Sequence, residues 1–581
     1  MGKLICPNYH RNFLTLSGLL MGLHKKDQVI RMMMLKRLFG MSRLNSAVRC
    51  LSASLALLVV GAVACGSGTS DSPLDQTLTV ALPSFWAETL DPSLDGQPGL
   101  QYHGHIYDHL VGVGPDGRFD HSYGLLESWD PGVNASAYTL TLKRNLKWHD
   151  GRDVTSEDIA YSVRHYARDD ARCAVCPTLA GVLDDIETPD AHTAILKLKT
   201  PHVSIMHAFG PVAGDMPLLP SHLSAEEHGV GSGPWKLVGR VAGESIQFEA
   251  NTEYWDQNRV PGFARLRLVL AAQPTERAEM LKNGDVDMTV LRPSGRPWSI
   301  DEPQGDVPSV RSAGFNIDGP KYVNTTVMRL FTASLPDSLN NSREFRKALT
   351  LGIDSQSIID AVYEPEVAEI AAGSALFSPL SDGYDPELPA YPYDPNEARI
   401  ALDAAGYDGQ TVFIFSAPSY GLTELIEINE MIADNLRDIG VNVDVLSSGY
   451  TDILGRHSPR PQQFDDVMPA PLFHGVNYQT WPDILGGIKR YLTSDPSALL
   501  TYHDLQRGDQ IFAELSVIVD PVEREERLLQ LNREMYEEYW AIPVVWRHEV
   551  YGLRSDLIGW APTNGTASDL RLETVKGVAT G

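Results

Sequence analysis

The stretch LESWDPGVNASAYTLTLKRNLKWHDGRDVTSEDIAYSVRHYA, Leu126–Ala167, decides how this part of the chain folds. Polar residues in its middle alternate with an apolar set that would lie on the opposite side: Tyr138, Leu140 and Leu142. That period of two predicts a half-buried strand, and Asp150-Gly151 predicts a turn after it. Thr155, with Asp158 three residues later, predicts a capped helix start. The stretch therefore predicts a strand, a turn and a helix, and by itself indicates no chemistry.

The N-terminal region predicts an export signal. Residues 1–49 hold nine basic residues and one acidic residue, and the apolar run Leu51–Val63 follows them. A basic segment, a short apolar segment and small residues before a cleavage point are typical of a secretory signal peptide. A membrane-spanning helix would need about 20 apolar residues, which is more than this run offers. We therefore predict a leader over residues 1–64, with Met41 as an alternative start.

The residues Ala62-Val63-Ala64-Cys65 end the predicted leader. They resemble a bacterial lipobox, in which a lipid is attached to the cysteine after cleavage. Alanine stands at Ala62, where leucine is usual. The resemblance implies lipidation of Cys65, and the small, polar residues that follow predict a tether over residues 65–75.

The 581-residue chain has a globular composition, 43% hydrophobic and 21% charged, with a formal net charge of −27. Removal of residues 1–64 takes away nine basic residues and one acidic residue, which leaves a net charge of −35. Nucleic acids and the surfaces of anionic lipid membranes carry many negative charges. They repel this acidic body, which disfavours both as partners. We predict that the protein has no nucleic-acid partner.

Two cysteines, Cys173 and Cys176, lie in the body of the chain as C-A-V-C. In an exported protein the first interpretation of such a pair is a local disulfide. A thioredoxin-like redox site and a zinc site are the alternatives. A zinc site needs about four ligands, and the chain has no second cysteine pair to supply them.

A β–α–β pattern occurs in the second half of the chain. Thr411–Phe415 and Val441–Leu446 have strand character, and Leu422–Ile439 lies between them. Its apolar residues recur at helical spacing: Leu425, Ile428, Ile432, Leu436 and Ile439. Such a unit predicts two parallel strands with a right-handed crossover, and therefore an α/β fold class.

Six separated motifs between Leu78 and Ala561 resemble one known family in sequence and order. They are YTLTLKRNLKWHDGRDVTSEDIAYSV from Tyr138, GSGPW from Gly231, NTEYW from Asn251, GDVD from Gly284, FRKALTLGIDSQSIIDAVY from Phe345 and DPVER from Asp520. They resemble the family 5 extracellular solute-binding proteins, the receptors of peptide- and nickel-type ABC importers. The resemblance implies an α/β, two-lobed periplasmic-binding-protein-like fold with a smaller third domain inserted in the first lobe.

The resemblance also implies a division of the chain into domains. The leader and tether would be followed by a discontinuous first lobe, to which the last strand, Ile542–Trp546, returns. The expected boundaries are 76–110, 205–310 and 540–581 for lobe I, 111–204 for the inserted domain and 311–539 for lobe II. The Pro-, Gly- and Ser-rich segment Arg292–Gly319 would hold a crossover between the lobes.

The function implied is that of the extracytoplasmic substrate-binding component of an ABC importer. Such a protein captures a peptide or similar small solute in the interlobe cleft and delivers it to permease subunits. It is expected to be a monomer, anchored by Cys65 to the bacterial cell membrane in the periplasm or on the outer face. No catalytic motif such as G-x-S-x-G or H-E-x-x-H occurs, and no cofactor or metal is expected. An exported hydrolase and a signalling receptor on the same scaffold are the alternatives.

The family's ligand contacts come from four places, and the matching positions here are expectations. Trp86, Glu88 and Asp95 lie after the first strand. Cys173–Leu179 follows the helix predicted at the end of the stretch Leu126–Ala167. Arg292 comes after the GDVD strand. The fourth place is a late loop, Phe473–Asp483, whose candidate contacts are His474, Asn477, Tyr478, Trp481 and Asp483. Asp483 is the candidate partner for a peptide amino terminus, although T-W-P-D departs from the family's usual acidic pattern. Peptide, oligosaccharide, opine and haem remain open as ligands.

Overall fold

The structure is a computed structural model. It describes residues 76–95, 99–173, 175–212, 216–224, 229–291, 306–330, 338–416, 424–447, 471–478, 484–495, 498 and 504–578, with the backbone alone for 471–478. All of these residues belong to one unit, Thr69–Gly581. The predicted leader and Cys65 lie outside the described residues, as does all of the tether.

The strands follow one another along the chain as β1 (Thr77–Leu82), β2 (Leu126–Asp130), β3 (Ala137–Leu142), β4 (Leu183–Asp190), β5 (Thr193–Leu198), β6 (Trp235–Val241), β7 (Ser245–Ala250), β8 (Arg265–Leu270), β9 (Met288–Val290), β10 (Asn316–Asp318), β11 (Asn324–Leu330), β12 (Ala368–Ile370), β13 (Val412–Ser416), β14 (Val443–Ser447), β15 (Pro471–Tyr478), β16 (Ile542–Arg547), β17 (Tyr551–Leu553), β18 (Leu557–Ile558) and β19 (Lys576–Gly577).

The helices, in the same direction along the chain, are α1 (Leu100–Ile106), α2 (Ser156–Tyr166), α3 (Cys176–Val182), α4 (Pro274–Asn283), α5 (Asp306–Ser312), α6 (Arg343–Leu351), α7 (Ser355–Val362), α8 (Pro395–Ala404), α9 (Leu425–Asp438), α10 (Ile484–Leu492), α11 (Leu505–Leu515) and α12 (Pro521–Glu537). Short 3-10 helices occur at Pro92–Leu94, His121–Tyr123, Ile205–Phe209, Gln257–Arg259, Leu339–Asn341 and Leu572–Thr574.

Two large mixed sheets form the two lobes. The first has the strand order β10-β17-β9-β1-β8-β7-β6, and the second has the order β12-β16-β11-β15-β13-β14. In the second sheet β13 and β14 are parallel, joined through α9, which confirms the predicted β–α–β unit. The two-lobed α/β fold class is therefore confirmed.

The points at which the chain passes from one large sheet to the other differ from the predicted lobe boundaries. β10 belongs to the first sheet because it pairs with β17, although the predicted boundaries put its residues in lobe II. β16 pairs with β11 and β12 in the second sheet, so Ile542–Arg547 is not the returning strand. The strand that returns to the first sheet is β17, which pairs with β9 and β10. The chain thus crosses between sheets at Gly319–Val323 and again at His548–Val550.

The stretch Leu126–Ala167 folds as predicted, with a strand, a turn and a helix. β2, β3, β5 and β4 form a separate four-stranded sheet, and α2 packs on β4 and β5. The apolar side of β3 and the facing side of α2 are buried: Tyr138, Leu140, Leu142, Ile159, Val163 and Tyr166. Thr155 and Asp158 form a reciprocal capping box at the start of α2. The strands of this four-stranded sheet, β2 to β5, lie inside the predicted inserted domain.

His149 joins this stretch to the GSGPW motif. The Gly231 N–H donates to His149 Nδ1 at 3.1 Å, so the proton is on Nε2, which donates to the Gly233 carbonyl oxygen at 3.0 Å. The site is tight, because a Cβ at Gly231 would lie 1.8 Å from the carbonyl oxygen of Ile106. Burial lowers the pKa of His149 to about 4, and a charged ring could not accept the Gly231 N–H.

We expect the variant His149→Gln to lose less stability on acidification than the wild type. An unfolded histidine titrates near pH 6.5 and the folded one near 4, so the unfolded state binds more protons between these values. Stability is therefore lost as the pH falls through this window, by about 1.4 kcal/mol per pH unit. Glutamine can keep both hydrogen bonds without titrating. The measurement is Tm from pH 7.5 to 5; the exposed His121→Gln is the control, and equal slopes for wild type and His149→Gln would contradict the prediction.

Candidate functional site

The carboxyl ends of parallel strands in both sheets point to the chain crossings. Val290, the last residue of β9, pairs with Tyr551, which directly follows the second crossing. β1 and β8 run parallel to β9, so they end on the same side. In the second sheet Tyr478, at the end of β15, pairs with Asn324, which directly follows the first crossing, and β13 and β14 run parallel to β15. Open α/β sheets bind ligands at this end of their strands.

The two crossings run side by side. The Glu549 N–H donates to the Pro320 carbonyl oxygen at 3.1 Å, and the Leu291 N–H donates to the Val550 carbonyl oxygen at 2.8 Å. A Cβ at Gly319 would lie 2.1 Å from the carbonyl oxygen of Glu549, so only glycine allows this approach. Two short, adjacent connections between two sheets are the arrangement on which lobes hinge.

A buried charge cluster lies at the second crossing. Arg547, at the end of β16, lies 3.3 Å (Nε to Oε1) from Glu424 and 3.5 Å (Nη1 to Oε2) from Glu549. The Arg547 and Glu424 side chains are each 7% exposed. Burial raises the pKa of Glu549, and Arg547 opposes that rise. One guanidinium therefore faces two carboxylates at the junction of the lobes and offsets the charge of only one of them.

A cavity of about 660 Å³ lies between α3 and the segment after β5 on one side and α10 and α11 on the other. Its walls come from residues 175–182 around α3, from Thr200–Ala208 after β5, and from α10 and α11. Small-molecule sites are commonly concave, largely apolar and about 300–1,000 Å³ in volume. The cavity therefore has the size of a ligand site and is lined from two bodies of the fold.

The three residues predicted after β1 have different surroundings. Trp86 is 62% exposed and stands in a left-handed backbone conformation, φ 50°. Glu88 accepts the Gly243 N–H at 2.8 Å, and Asp95 accepts the Ala87 N–H at 3.1 Å and the Tyr102 hydroxyl. The two carboxylates thus hold the loop and its neighbours, and Trp86 is the one of the three open to solvent.

The segment after α2 lies beside the loop that follows β1. The sulfur atoms of Cys173 and Cys176 are bonded, with their Cα atoms 5.2 Å apart. Val175 and Pro177, beside the bridge, line the cavity. The Arg172 N–H donates to the Ser93 carbonyl oxygen at 2.7 Å and joins this segment to the first loop.

The predicted late loop is partly a strand. Pro471–Tyr478 forms β15, which pairs with β11 on one side and with β13 on the other. His474, Asn477 and Tyr478 are therefore strand positions and not loop positions. Pairing on both sides of β15 satisfies its backbone N–H and C=O groups, which favours the strand. The structure does not describe the side chains of these three residues. Arg292, Trp481 and Asp483 lie outside the described residues altogether.

A Ser-His-Asp cluster lies beside the loop that follows β1. Its geometry tests the alternative that the protein is a hydrolase. Ser93 Oγ and Asp91 Oδ1 both contact the same nitrogen of His165, Nε2, at 3.2 and 2.9 Å. A catalytic triad needs the serine and the aspartate on opposite ring nitrogens. Burial alone would raise the pKa of Asp91, but hydrogen bonds from His165 and Ser93 lower it to about 2. Ser93 is fully buried, so this cluster is structural.

Metal binding and membrane insertion find no support in the described residues. In that part of the chain, no group of three or more His, Cys, Asp or Glu side chains is placed to hold a metal ion. None of the helices in the described ranges has both the length and the apolar character needed to cross a membrane.

Several residues of the site carry no recognisable sequence pattern. Lys489, Phe512 and Ser516 line the cavity, but they sit on or directly after two helices whose own periodicity indicates only packing. Arg547 and Glu424 are far apart in the chain and meet at the second crossing. A charged residue at the end of a buried strand, as at Arg547, is the signal that could have indicated this cluster.

Curated proteins and a solved structure are similar to this chain. The probable peptide ABC transporter periplasmic-binding protein y4tO of Sinorhizobium fredii is 25% identical over 413 residues, which are 66% of this chain and 73% of that protein. Di/tripeptide-binding protein 1 of Pseudomonas aeruginosa is 26% identical over 57% of this chain and 64% of that protein. The solved structure of HbpA2 from Haemophilus parasuis matches 87% of this chain and 100% of that chain, with a TM-score of 0.72 and 19% identity.

The match to a protein family extends over most of the described fold. The family model named bacterial extracellular solute-binding proteins, family 5 Middle, matches residues 122–482. This range starts before β2, includes the cavity walls from the inserted domain and ends just before α10. Since the model matches more than half of the chain, the chain belongs to the family 5 bacterial extracellular solute-binding proteins.

Proposed function

We propose that this protein is the substrate-binding component of an ABC importer and captures peptides or similar small solutes between its lobes. One observation carries the proposal: two sheets present their strand carboxyl ends to the same pair of adjacent crossings. A solute held there would contact both lobes, so it would favour the closed arrangement by its differential affinity for it. The names of the two curated relatives, both peptide-binding proteins, support peptides as the solute class.

The partners follow from this role. Permease subunits would receive the solute, and the ATP hydrolysis that drives import would take place in subunits other than this one. The protein would act outside the cytoplasm, and the lipid on Cys65 would hold it at the cell membrane as a monomer. The protein itself would carry out no reaction.

The proposed contacts with the solute keep the four places named from the sequence. Trp86 is the best supported, because its ring is exposed and it follows closely after Leu82, the carboxyl end of β1. Glu88 and Asp95 would have to exchange their present hydrogen bonds for bonds to the solute. The remaining proposed contacts are Arg292, His474, Asn477, Tyr478, Trp481 and Asp483.

Native mass spectrometry of the protein as purified, followed by a thermal-shift screen, tests the proposal. The screen contains peptides from two to nine residues and a set of oligosaccharides. A peptide at about 100 times its Kd stabilises the folded state by about 2.7 kcal/mol and raises Tm. If only an oligosaccharide raises Tm, the peptide part is wrong, and if no solute of either class binds, the solute-binding proposal is wrong.

The variant Trp86→Ala tests the best supported contact. Because the ring is largely exposed, its removal should leave the Tm of the free protein unchanged while it weakens peptide binding about tenfold. Val133→Ala, which removes methyl groups from a fully exposed side chain in the inserted domain, is the matched control. Unchanged peptide affinity in Trp86→Ala would remove Trp86 from the site.

A further inference from the structure

The cavity between the inserted domain and α10–α11 is mainly apolar. Its apolar members come from all of its walls: Val175, Val182, Val203, Ile205, Leu485 and Phe512. Hydroxyl groups of serine and threonine residues are interspersed among them. Burying apolar surface of a solute here would contribute about 25 cal/mol for each Å² removed from water. The lining therefore favours a solute with an apolar body.

The charge of the lining is opposite to that of the protein. The chain has 75 acidic and 48 basic residues, yet no Asp or Glu is among the described residues that line this cavity. Its titratable members in the described part are His202, His207 and Lys489. Burial lowers the pKa of His207 to about 3, so that ring is neutral at pH 7. Among the described lining residues, the fixed charge is the ammonium group of Lys489.

Lys489 can exchange its present ion-pair partner, Asp495, for a carboxylate of a solute. It lies in the last turn of α10 with its side chain half exposed, and its Nζ is 3.4 Å from the Asp495 carboxylate. Ion pairs this exposed contribute only about 0–1 kcal/mol, so a carboxylate from a solute can replace Asp495 at little cost. Arg490, the next residue, is also exposed but is not among the residues that line the cavity.

We propose that this cavity binds an apolar group that carries a carboxylate, and that Lys489 selects for that carboxylate. The inference rests on the proposed solute-binding function and specifies the chemical class of the group bound in this cavity. Of the described residues in the four places named from the sequence, Val175, Pro177 and Thr178 line it. The walls come from α3 and the segment after β5 on one side and from α10 and α11 on the other, so the bound group would bridge these two sides. A free peptide carboxylate on apolar residues and a simple fatty acid share this chemistry.

Calorimetric titration with two matched pairs of probes tests the proposal. The pairs are trileucine with its C-terminal amide, and octanoate with octanamide. In the wild type we expect each acid that binds to bind about three- to tenfold more tightly than its amide, the range for a partly exposed charge pair. In Lys489→Met the preference should disappear, while the matched control Arg490→Met should keep it. Both side chains are exposed, so both variants should fold.

The outcomes separate this inference from the proposed function. A preference confined to the peptide pair identifies a peptide carboxylate as the group recognised, and a preference in both pairs identifies apolar acids in general. Equal affinities of acid and amide in the wild type, or a preference retained in Lys489→Met, overturn the inference and leave solute binding intact. Binding of peptides from the screen without binding of any of the four probes has the same meaning. Failure of every solute to bind overturns both.

Discussion

Asp108→Ala is expected to destabilise the protein by about 3–5 kcal/mol, because it leaves buried hydrogen-bond donors without an acceptor. Asp108 is 6% exposed and accepts hydrogen bonds from the hydroxyl of Tyr254 at 2.7 Å, from Trp255 Nε1 at 3.0 Å and from the hydroxyl of Ser232 at 3.0 Å. Burial raises the pKa of this carboxyl, and nearby Arg259 opposes the rise. Thermal unfolding followed by circular dichroism measures the loss.

A series at this position separates the hydrogen bonds from the charge. Asp108→Asn keeps one acceptor oxygen and should fall between the wild type and Asp108→Ala. The exposed Asp184→Ala is the matched control and should change stability by less than about 0.5 kcal/mol. A Tm for Asp108→Ala within the range of that control would show that the three donors find other acceptors.

The Asp108 network explains what the family-like motifs do. Ser232 belongs to GSGPW, and Tyr254 and Trp255 belong to NTEYW. The carboxylate of Asp108, just after α1, joins both motifs in the core of the first lobe. In this chain the two motifs maintain the core of the first lobe, and the side chains of Ser232, Tyr254 and Trp255 do not line the cavity.

Local sequence patterns predicted the parts of the fold whose partners are close in sequence. The alternation in β3, the capping box of Thr155 and Asp158, and the parallel pair joined by α9 are settled within short stretches of chain. Caps and periodicity are local physics, and the structure confirms them.

The crossings and the site depend on partners far away in sequence. β16 is apolar almost throughout and suits either sheet, and only its pairing with β11 and β12 decides which sheet it joins. The same holds for β15, for which the resemblance predicts a loop. The cavity unites residues from Val175 to Ser516, and no pattern in one segment indicates that the others are adjacent. The resemblance predicted four places for ligand contacts, whereas the lining of the cavity follows from the packing of segments that are distant in sequence.

Arg547→Met is the second change with a large expected effect. It removes the guanidinium that lies between Glu424 and Glu549, at 3.3 and 3.5 Å from them, and methionine fills much of the same volume. Removal of one member of a buried ionic group costs about 3–5 kcal/mol, because the remaining charges stay desolvated and unpaired. The half-exposed Arg507, 3.5 Å from Glu534, is the matched control, and Arg507→Met should cost less than about 1 kcal/mol.

The loss in Arg547→Met should depend on pH with a definite sign. Burial already raises the pKa of Glu549, and without Arg547 it should rise further. A folded-state pKa above the unfolded value means that the folded state binds the proton more tightly, so the cost of the buried charge applies above that pKa and diminishes as the pH falls towards it. The difference in Tm between the variant and the wild type should therefore be larger at pH 8 than at pH 5.

A triple variant distinguishes charge from packing at this crossing. Arg547→Met combined with Glu424→Gln and Glu549→Gln removes every charge of the cluster, and replacement of a whole buried ionic group by neutral side chains is often tolerated. It should recover most of the stability lost in the single variant and show no difference in loss between pH 8 and pH 5. If the triple variant is no more stable than Arg547→Met, then the arginine acts through its packing between the lobes and not through the two carboxylates.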